Sequence, residues 1–300
     1  MFALMLNGHP DLVVPRETWF LSDLMDELPL TGALTDAGVE RAVSIVLDHW
    51  RWAEWRIDDE DLRRAADGLE NPELPDVIHA IYALPLAEEG GRRWGDKTPG
   101  YTAEIGRLDR VFPDAQFIHL IRDGRDVSLS LQKTGWEGET TRAVARYWAD
   151  TVESACTVGR ALGPERYMEV SYENLVLHTE SVLSSVCEFL GVDFHPAMLD
   201  FNERAAEYAP ERTRSHLSKT FRSPRPSDVS RWPREMSRLD LAVVEAYAGS
   251  TLELAGYERA VRHGLGVVRA VCEGLDTIAE RTLPARRRLG LHFPELRKRL

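Results

Sequence analysis

A chain of 300 residues with 43% hydrophobic and 29% charged side chains can bury a core, which excludes wholesale disorder, and its length suits one large domain or two modest ones. With 37 basic against 49 acidic side chains the net charge is −12, which excludes a general nucleic-acid or anionic-membrane binder, because phosphate surfaces demand a basic face. Any anionic ligand must be met by a local basic cluster, and only Lys97, Lys133, Lys219 and Lys298 among the basic residues are lysines.

Apolar spacing over residues 1–8 predicts a helix that stops at Gly8 and Pro10 and has no cap at its start. An extended stretch, Asp11–Pro15, leads into four helical segments at about 17–28, 36–56, 59–69 and 75–87. Trp50, Trp52 and Trp55 follow the helix-spaced Val39, Val43 and Val46. These tryptophans are expected in the core, with a substrate-pocket wall (joined by Trp19) as the alternative.

Strands are predicted at Arg93–Thr98, Ala115–Ile121 and Arg166–Ser171, separated by helices at 100–111, 124–134 and 140–162. Strands alternating with helices imply an α/β fold with a parallel sheet flanked by helices, although three strands are fewer than such sheets commonly hold. The nearly continuous apolar run 115–121 predicts a strand buried on both faces, with His119 satisfied inside it. Helices at 179–190, 196–208 and 237–256 follow, with a polar loop, Pro210–Trp232, before the last. The arginine-rich stretch 258–300 reads as a helical surface appendage to a domain at 1–257, whose substrate region is the helical insertion at about 20–90.

Cys156, Cys187 and Cys272 are odd in number, far apart and form no CxxC, so neither a disulfide framework nor a zinc ribbon is supported, and the cytoplasm is the simplest compartment. No apolar run approaches the roughly 18 residues of a membrane span, and the N-terminus lacks the basic start of a signal peptide. The chain carries no GxSxG, HExxH, GxxxxGK[ST] or GxGxxG motif, and its histidines have no metal-ligand spacing. No metal is expected.

The segment Phe117-Ile118-His119-Leu120-Ile121-Arg122-Asp123-Gly124-Arg125-Asp126-Val127-Ser128-Leu129-Ser130 takes a strand through a turn into a helix. Arg122 falls at the carboxyl end of the strand, where open α/β sheets bind ligands, and the next helix offers free N–H groups and the positive end of its dipole. With the hydroxyls of Ser128 and Ser130 this makes a phosphate site without lysine. The other reading is a charged helix start with Asp126 as an N-terminal carboxylate.

This segment resembles the 3′-phosphate-binding stretch of PAPS-dependent sulfotransferases, in which an arginine at a strand end and a serine eight residues later hold the 3′-phosphate of 3′-phosphoadenosine-5′-phosphosulfate. Arg122 and Ser130 match that spacing. Trp94-Gly95-Asp96-Lys97-Thr98-Pro99 is similar to the family's Lys-Thr-Pro strand end, which implies that Lys97 faces the transferred sulfuryl group. Val170-Ser171-Tyr172-Glu173-Asn174-Leu175 with Cys187-Glu188-Phe189-Leu190-Gly191 resembles the stretch whose tyrosine contacts adenine, giving Tyr172. His9-Pro10-Asp11 through Glu17-Thr18 looks like the His-Pro-Asp…Glu segment of the heparan- and tyrosylprotein-type enzymes, which makes Glu17 the catalytic base. Ser230-Arg231-Trp232 resembles the end of the loop that closes over the nucleotide.

The resemblance spans roughly residues 1–257 and implies a P-loop-NTPase-like sulfotransferase fold. The implied activity is transfer of a sulfuryl group from PAPS, as co-substrate, to a hydroxyl on a small molecule, sugar or peptide. The family's first strand and its Pro-x-Ser-Gly-Thr-Thr-type loop, which wraps the 5′-phosphosulfate, have no counterpart here. Met1 is therefore expected to be an internal methionine of a longer product. The alternative is a non-catalytic sulfotransferase remnant that binds a nucleotide or a partner. A nucleotide kinase-like phosphotransferase is disfavoured by the lack of a Walker lysine.

Overall fold

The computed structural model describes residues 1–133, 140–202 and 225–282. Residues 203–224, which hold the end of the predicted 196–208 helix and the first part of the polar loop, and residues 134–139 and 283–300 lie outside the described residues. The chain divides into two compact units. The first comprises Met1–Ile121 and Ser154–Val229; the second comprises Arg122–Glu153 and the chain from Ser230 onward.

The first unit opens with α1 (Phe2–Leu6) and β1 (Leu12–Val13), followed by α2 (Phe20–Glu27), α3 (Asp36–Asp48), α4 (Trp52–Trp55), α5 (Asp59–Asp67) and α6 (Leu74–Glu89). The α3 start is capped by the Thr35 hydroxyl, which accepts from Gly38 N, and the α5 start by Asp58, which accepts from Glu60 N. Gly90, at φ 74, ends α6 in the left-handed conformation that glycine adopts without steric cost. Their apolar faces bury Phe20, Leu24, Val46, Ile78 and Tyr82 in one cluster, joined by Trp52 and Trp55. The predicted 36–56 helix breaks at His49, whose extended backbone lets its Nδ1 accept from Arg51 N at 3.2 Å.

Next come β2 (Arg93–Trp94), a 3₁₀ turn at Pro99–Glu104, α7 (Ile105–Val111) and β3 (Phe117–Ile121). After the excursion into the second unit, the first resumes along α9 (Thr141–Ala161), then β4 (Tyr167–Ser171), α10 (Tyr172–Leu177) and α11 (Thr179–Leu190). A second apolar cluster packs Phe2 and Met5 of α1 with Val170, Leu175, Leu183 and Val186. Gly8 lets the chain pass closely, since a Cβ there would lie 2.5 Å from the Ala197 carbonyl oxygen.

The α/β class and the parallel pairing agree with the sequence, but the described strands form two separate parallel pairs rather than one sheet. β1 pairs with β2 (Leu12↔Arg93, Val13↔Trp94), and β3 with β4 over five residues, from Phe117↔Tyr167 to Ile121↔Ser171. The strand expected over 93–98 stops at Trp94, because Asp96 and Thr98 turn their polar side chains into a buried network instead. Between the pairs, the Arg93 guanidinium donates to Leu190 O at 2.9 Å and Gln116 Oε1 at 2.8 Å. β3 is not buried on both faces: His119 and Ile121 are buried, while Phe117, Ile118 and Leu120 are half-buried, as suits a strand with one hydrogen-bonded neighbour. His119 is satisfied as expected, its Nδ1 lying 2.6 Å from the Tyr167 hydroxyl.

The second unit holds α8 (Gly124–Lys133), the first part of α9, α12 (Trp232–Glu235), α13 (Arg238–Leu254) and α14 (Leu265–Thr282). Arg125, 3% exposed, joins α8 to α13 by ion pairs at 2.8 Å to both Asp123 and Glu245. Glu245 also accepts from the Ala260 and Val261 amides, so each buried charge is compensated.

Candidate active site

β1 and β2 are parallel neighbours, so the segments that leave them emerge at the same carboxyl end. Glu17 lies on the first and Lys97 on the second, and the Lys97 ammonium pairs directly with Glu17 Oε1. The helix expected from residue 17 starts only at Phe20, because Trp19 adopts a left-handed φ of 63° that turns Glu17 out of the helix. Such a backbone is uncommon for a bulky residue. The close face of Gly100 makes room for the Trp19 ring, which a Cβ there would meet at 2.6 Å.

Beneath the pair lies a buried polar network built from its sequence neighbours. Thr18 N donates to Thr98 Oγ1 at 3.1 Å, and the Thr18 hydroxyl donates to Asp96 Oδ2 at 2.8 Å. The Tyr82 hydroxyl donates to the same oxygen at 2.5 Å. The Tyr101 hydroxyl lies 2.7 Å from Thr18 Oγ1 and accepts from Leu21 N at 3.0 Å. Burial pushes the Asp96 carboxyl up from its ordinary range, and burial together with the Asp96 charge raises both tyrosines well above theirs. This network fixes the register of Glu17 against Lys97.

Burial alone would raise the Glu17 carboxyl. The Lys97 charge and hydrogen bond, then the Arg51 charge, outweigh it and hold the group below its ordinary value. Arg51 reaches Glu17 Oε2 at 3.1 Å and Glu54 Oε2 at 2.8 Å. Of the tryptophans, Trp52 and Trp55 are core, as expected, with their ring N–H groups bonded to Asp59 and to the Arg16 carbonyl. Trp19 and Trp50 are half-buried instead, Trp19 Nε1 lying 3.4 Å from Glu17 Oε2 and the Trp50 ring 4.1 Å from the Arg51 guanidinium carbon.

The His-Pro-Asp motif has a structural use. His9 Nδ1 accepts from Asp11 N at 3.0 Å, so its proton sits on Nε2, which donates to Asp193 O at 2.8 Å. Tyr172 also belongs to the first unit, half-buried at the first position of α10, whose start is capped by the Ser171 hydroxyl.

Arg122, Ser130, Ser230, Arg231 and Trp232 fall in the second unit. Asp126, fully buried, faces the Arg122 guanidinium with one oxygen at 3.5 Å, while the other accepts from Arg231 N at 2.9 Å and Trp232 N at 2.8 Å. One carboxylate therefore joins the strand-end arginine to the Ser-Arg-Trp corner. Ser230 turns that corner at φ 49. The Arg231 side chain forks onto Glu235 at 3.0 and 2.9 Å, and the Trp232 ring covers Arg125 at 3.9 Å. Ser130 follows Asp126 by one turn and is half-buried, whereas the Ser128 hydroxyl donates to Gly124 O at 2.8 Å and has no proton left for a ligand.

The network residues Thr18, Tyr82, Asp96 and Tyr101, the bridging Arg51 and the anchoring role of Asp126 were not read from the sequence. Thr18 and Asp96 adjoin Glu17 and Lys97 in the chain, which is a usable signal; Tyr82 arrives from α6 and Arg51 from the break between α3 and α4, and neither carries one. Among the described residues no three His, Cys, Asp or Glu side chains converge as metal ligands, and no helix is long and apolar enough to cross a membrane.

The fold is that of a sulfotransferase domain: a solved domain from the curacin biosynthetic pathway superposes with a TM-score of 0.57 at 21% identity, covering 86% of this chain and 93% of that one. The profile of the Sulfotransferase family matches residues 1–196, and the chain belongs to that family. It is 26% identical to a protein-tyrosine sulfotransferase of Drosophila melanogaster over 68% of this chain and 38% of that protein. It is also 26% identical to nodulation protein NoeE of Sinorhizobium fredii over 98% of this chain and 73% of that protein. The chain spans half or less of the length of the protein-tyrosine sulfotransferases it matches first.

Proposed function

We propose that this protein transfers a sulfuryl group from PAPS to a hydroxyl acceptor. The observation that carries the reading is the Glu17–Lys97 pair, set side by side at the carboxyl ends of two parallel strands. Glu17 accepts the proton of the attacking hydroxyl. The acceptor oxygen bonds to sulfur, the bond from sulfur to the 5′-phosphate oxygen breaks, and its electron pair stays on adenosine 3′,5′-bisphosphate. Lys97 leaves Glu17 to neutralise that oxygen. Positioning and charge stabilisation supply most of the rate in such group transfers, and the proton acceptor typically adds about 10²–10⁴-fold.

For the donor nucleotide, Arg122 and Ser130 hold the 3′-phosphate, Tyr172 contacts adenine, and Ser230, Arg231 and Trp232 close over the nucleotide. The acceptor is a small molecule, a sugar or a peptide bearing a hydroxyl. A cytoplasmic setting is supported by the free thiols of the buried Cys156 and Cys187.

Calorimetric titration of the full chain with adenosine 3′,5′-bisphosphate tests the donor half of this reading. Arg122→Ala is expected to weaken binding by ~2–5 kcal/mol, as when one partner of a buried charge pair is truncated. Ser130→Ala should cost ~0.5–1.5 kcal/mol. Glu17→Gln should leave the affinity nearly intact. Unchanged affinity in Arg122→Ala would remove the 3′-phosphate site from the account.

A further inference from the structure

We propose that Arg51 is a positioning residue for the reaction: it holds the Glu17 carboxylate aimed and ionised during the part of the cycle in which Lys97 serves the donor. The inference rests on the reading of Glu17 as base and Lys97 as the donor-facing cation. Those two roles conflict, because a lysine neutralising the leaving oxygen no longer fully compensates a largely buried glutamate.

The geometry resolves the conflict by using the two carboxylate oxygens differently. Lys97 meets Oε1 and Arg51 meets Oε2. The Lys97 side chain is 47% exposed, so its ammonium can turn to the donor without leaving water. The Arg51 side chain is 8% exposed and is held in three ways: by Glu54 Oε2, by the Trp50 ring, and by the break between α3 and α4 that bonds its amide to His49. The Glu54 carbonyl in turn accepts from Arg16 Nη1 at 3.0 Å, and Trp55 Nε1 donates to the Arg16 carbonyl, which ties α4 to the segment carrying Glu17. A planar guanidinium fork on two carboxylates is a rigid mount; a lysine at position 51 would supply charge without the second arm.

The remaining groups around Glu17 cannot take over. His49 is lowered to about 4, by burial and by Arg51, and is neutral near pH 7. Glu54 and the buried Asp96, which reaches this corner through Thr18, carry the wrong sign. The Trp19 ring N–H is a long donor without charge.

The test is a ¹³C titration of the Glu17 side-chain carboxyl by NMR in the full chain, free and saturated with adenosine 3′,5′-bisphosphate, which needs no turnover. In Arg51→Met the midpoint is expected to rise by at least about one pH unit, the effect of removing an opposite charge at this range, and to rise further with nucleotide bound. Arg51→Lys should show a smaller rise. Glu54→Gln loosens the mount but keeps the charge, so its midpoint should stay or fall. An unmoved midpoint in Arg51→Met overturns the proposal, as does an equal rise in Glu54→Gln, which would make the effect one of packing. If Arg51→Met does not fold, Arg51→Lys and Glu54→Gln decide it between them: no rise in the former, or as large a rise in the latter, overturns it. The base reading fails separately, by undiminished turnover in Glu17→Gln, whatever the midpoint does.

Discussion

Tyr82→Phe isolates what the buried network under the Glu17–Lys97 pair contributes. The Tyr82 ring is fully buried, stacks on Trp94 at 4.1 Å between centroids, and stays in place in the variant; only the hydroxyl donating to Asp96 Oδ2 is lost. Removing one oxygen opens little cavity, so the cost is that of a hydrogen bond to a buried carboxylate, ~1.5–3 kcal/mol. For a unit of this size that lowers Tm by about 3–12 °C. The pH dependence follows from the sign of the Asp96 shift. Its carboxyl is raised in the folded state, so burying the ionised form costs stability at neutral pH, and that cost fades as pH falls toward the unfolded value. Losing the tyrosine donor raises the folded value further. The deficit of Tyr82→Phe should therefore be largest at neutral pH and shrink to the ~0.5–1.5 kcal/mol of a neutral hydrogen bond as Asp96 takes up its proton. Urea denaturation followed by circular dichroism across pH measures this. A deficit below about 0.5 kcal/mol at neutral pH, or one that grows on acidification, would mean that Tyr82 donates no hydrogen bond to an ionised Asp96.

Two further outcomes follow from other parts of the fold. Asp126→Ala leaves the Arg231 and Trp232 amides without their acceptor, at ~1–3 kcal/mol for each buried donor, and Asp126→Asn, which keeps an acceptor oxygen, should restore most of the loss in a denaturant titration. Burial first, outweighing the nearby Glu169, lowers His119 to about 4 from an ordinary 6.5, so the stability it gives by staying neutral is present above 6.5 and is lost as pH falls from 6.5 to about 4. His119→Gln should flatten that decline by up to about 3 kcal/mol, leaving the part due to His49, which burial lowers similarly; an unchanged pH profile would contradict it.

The sequence made the helices and the β3–turn–α8 segment legible because their signals are local: apolar period, caps, and glycines at helix ends. The predicted helix at 124–134 appears as α8 and that at 179–190 as α11. Tertiary contacts overrode local signals elsewhere. The 36–56 helix breaks where Arg51 is drawn to Glu17 and Glu54, and the 17–28 helix loses its first turn to the left-handed Trp19. The 93–98 strand is cut short by the buried bonds of Asp96 and Thr98. The strand at Leu12–Val13 was too short to show a period and read only as extended chain. Within the site, Glu17 and Lys97 were found by resemblance to motifs. What holds them comes from residues that become neighbours only on folding: Tyr82 is 14 residues from its partner Asp96, and Arg51 is 34 from Glu17.

The most direct measurement is transfer of radiolabelled sulfate from PAPS to a panel of phenol, sugar and tyrosyl-peptide hydroxyls by a form of the protein that folds and binds the nucleotide, with Glu17→Gln alongside. The expected result is label in at least one acceptor, with adenosine 3′,5′-bisphosphate released in equal amount, and a kcat about 10²–10⁴-fold lower in Glu17→Gln at nearly unchanged nucleotide affinity. Full turnover in Glu17→Gln would show that the base lies elsewhere. A folded chain that binds the nucleotide yet labels no acceptor would contradict the assignment of sulfuryl transfer.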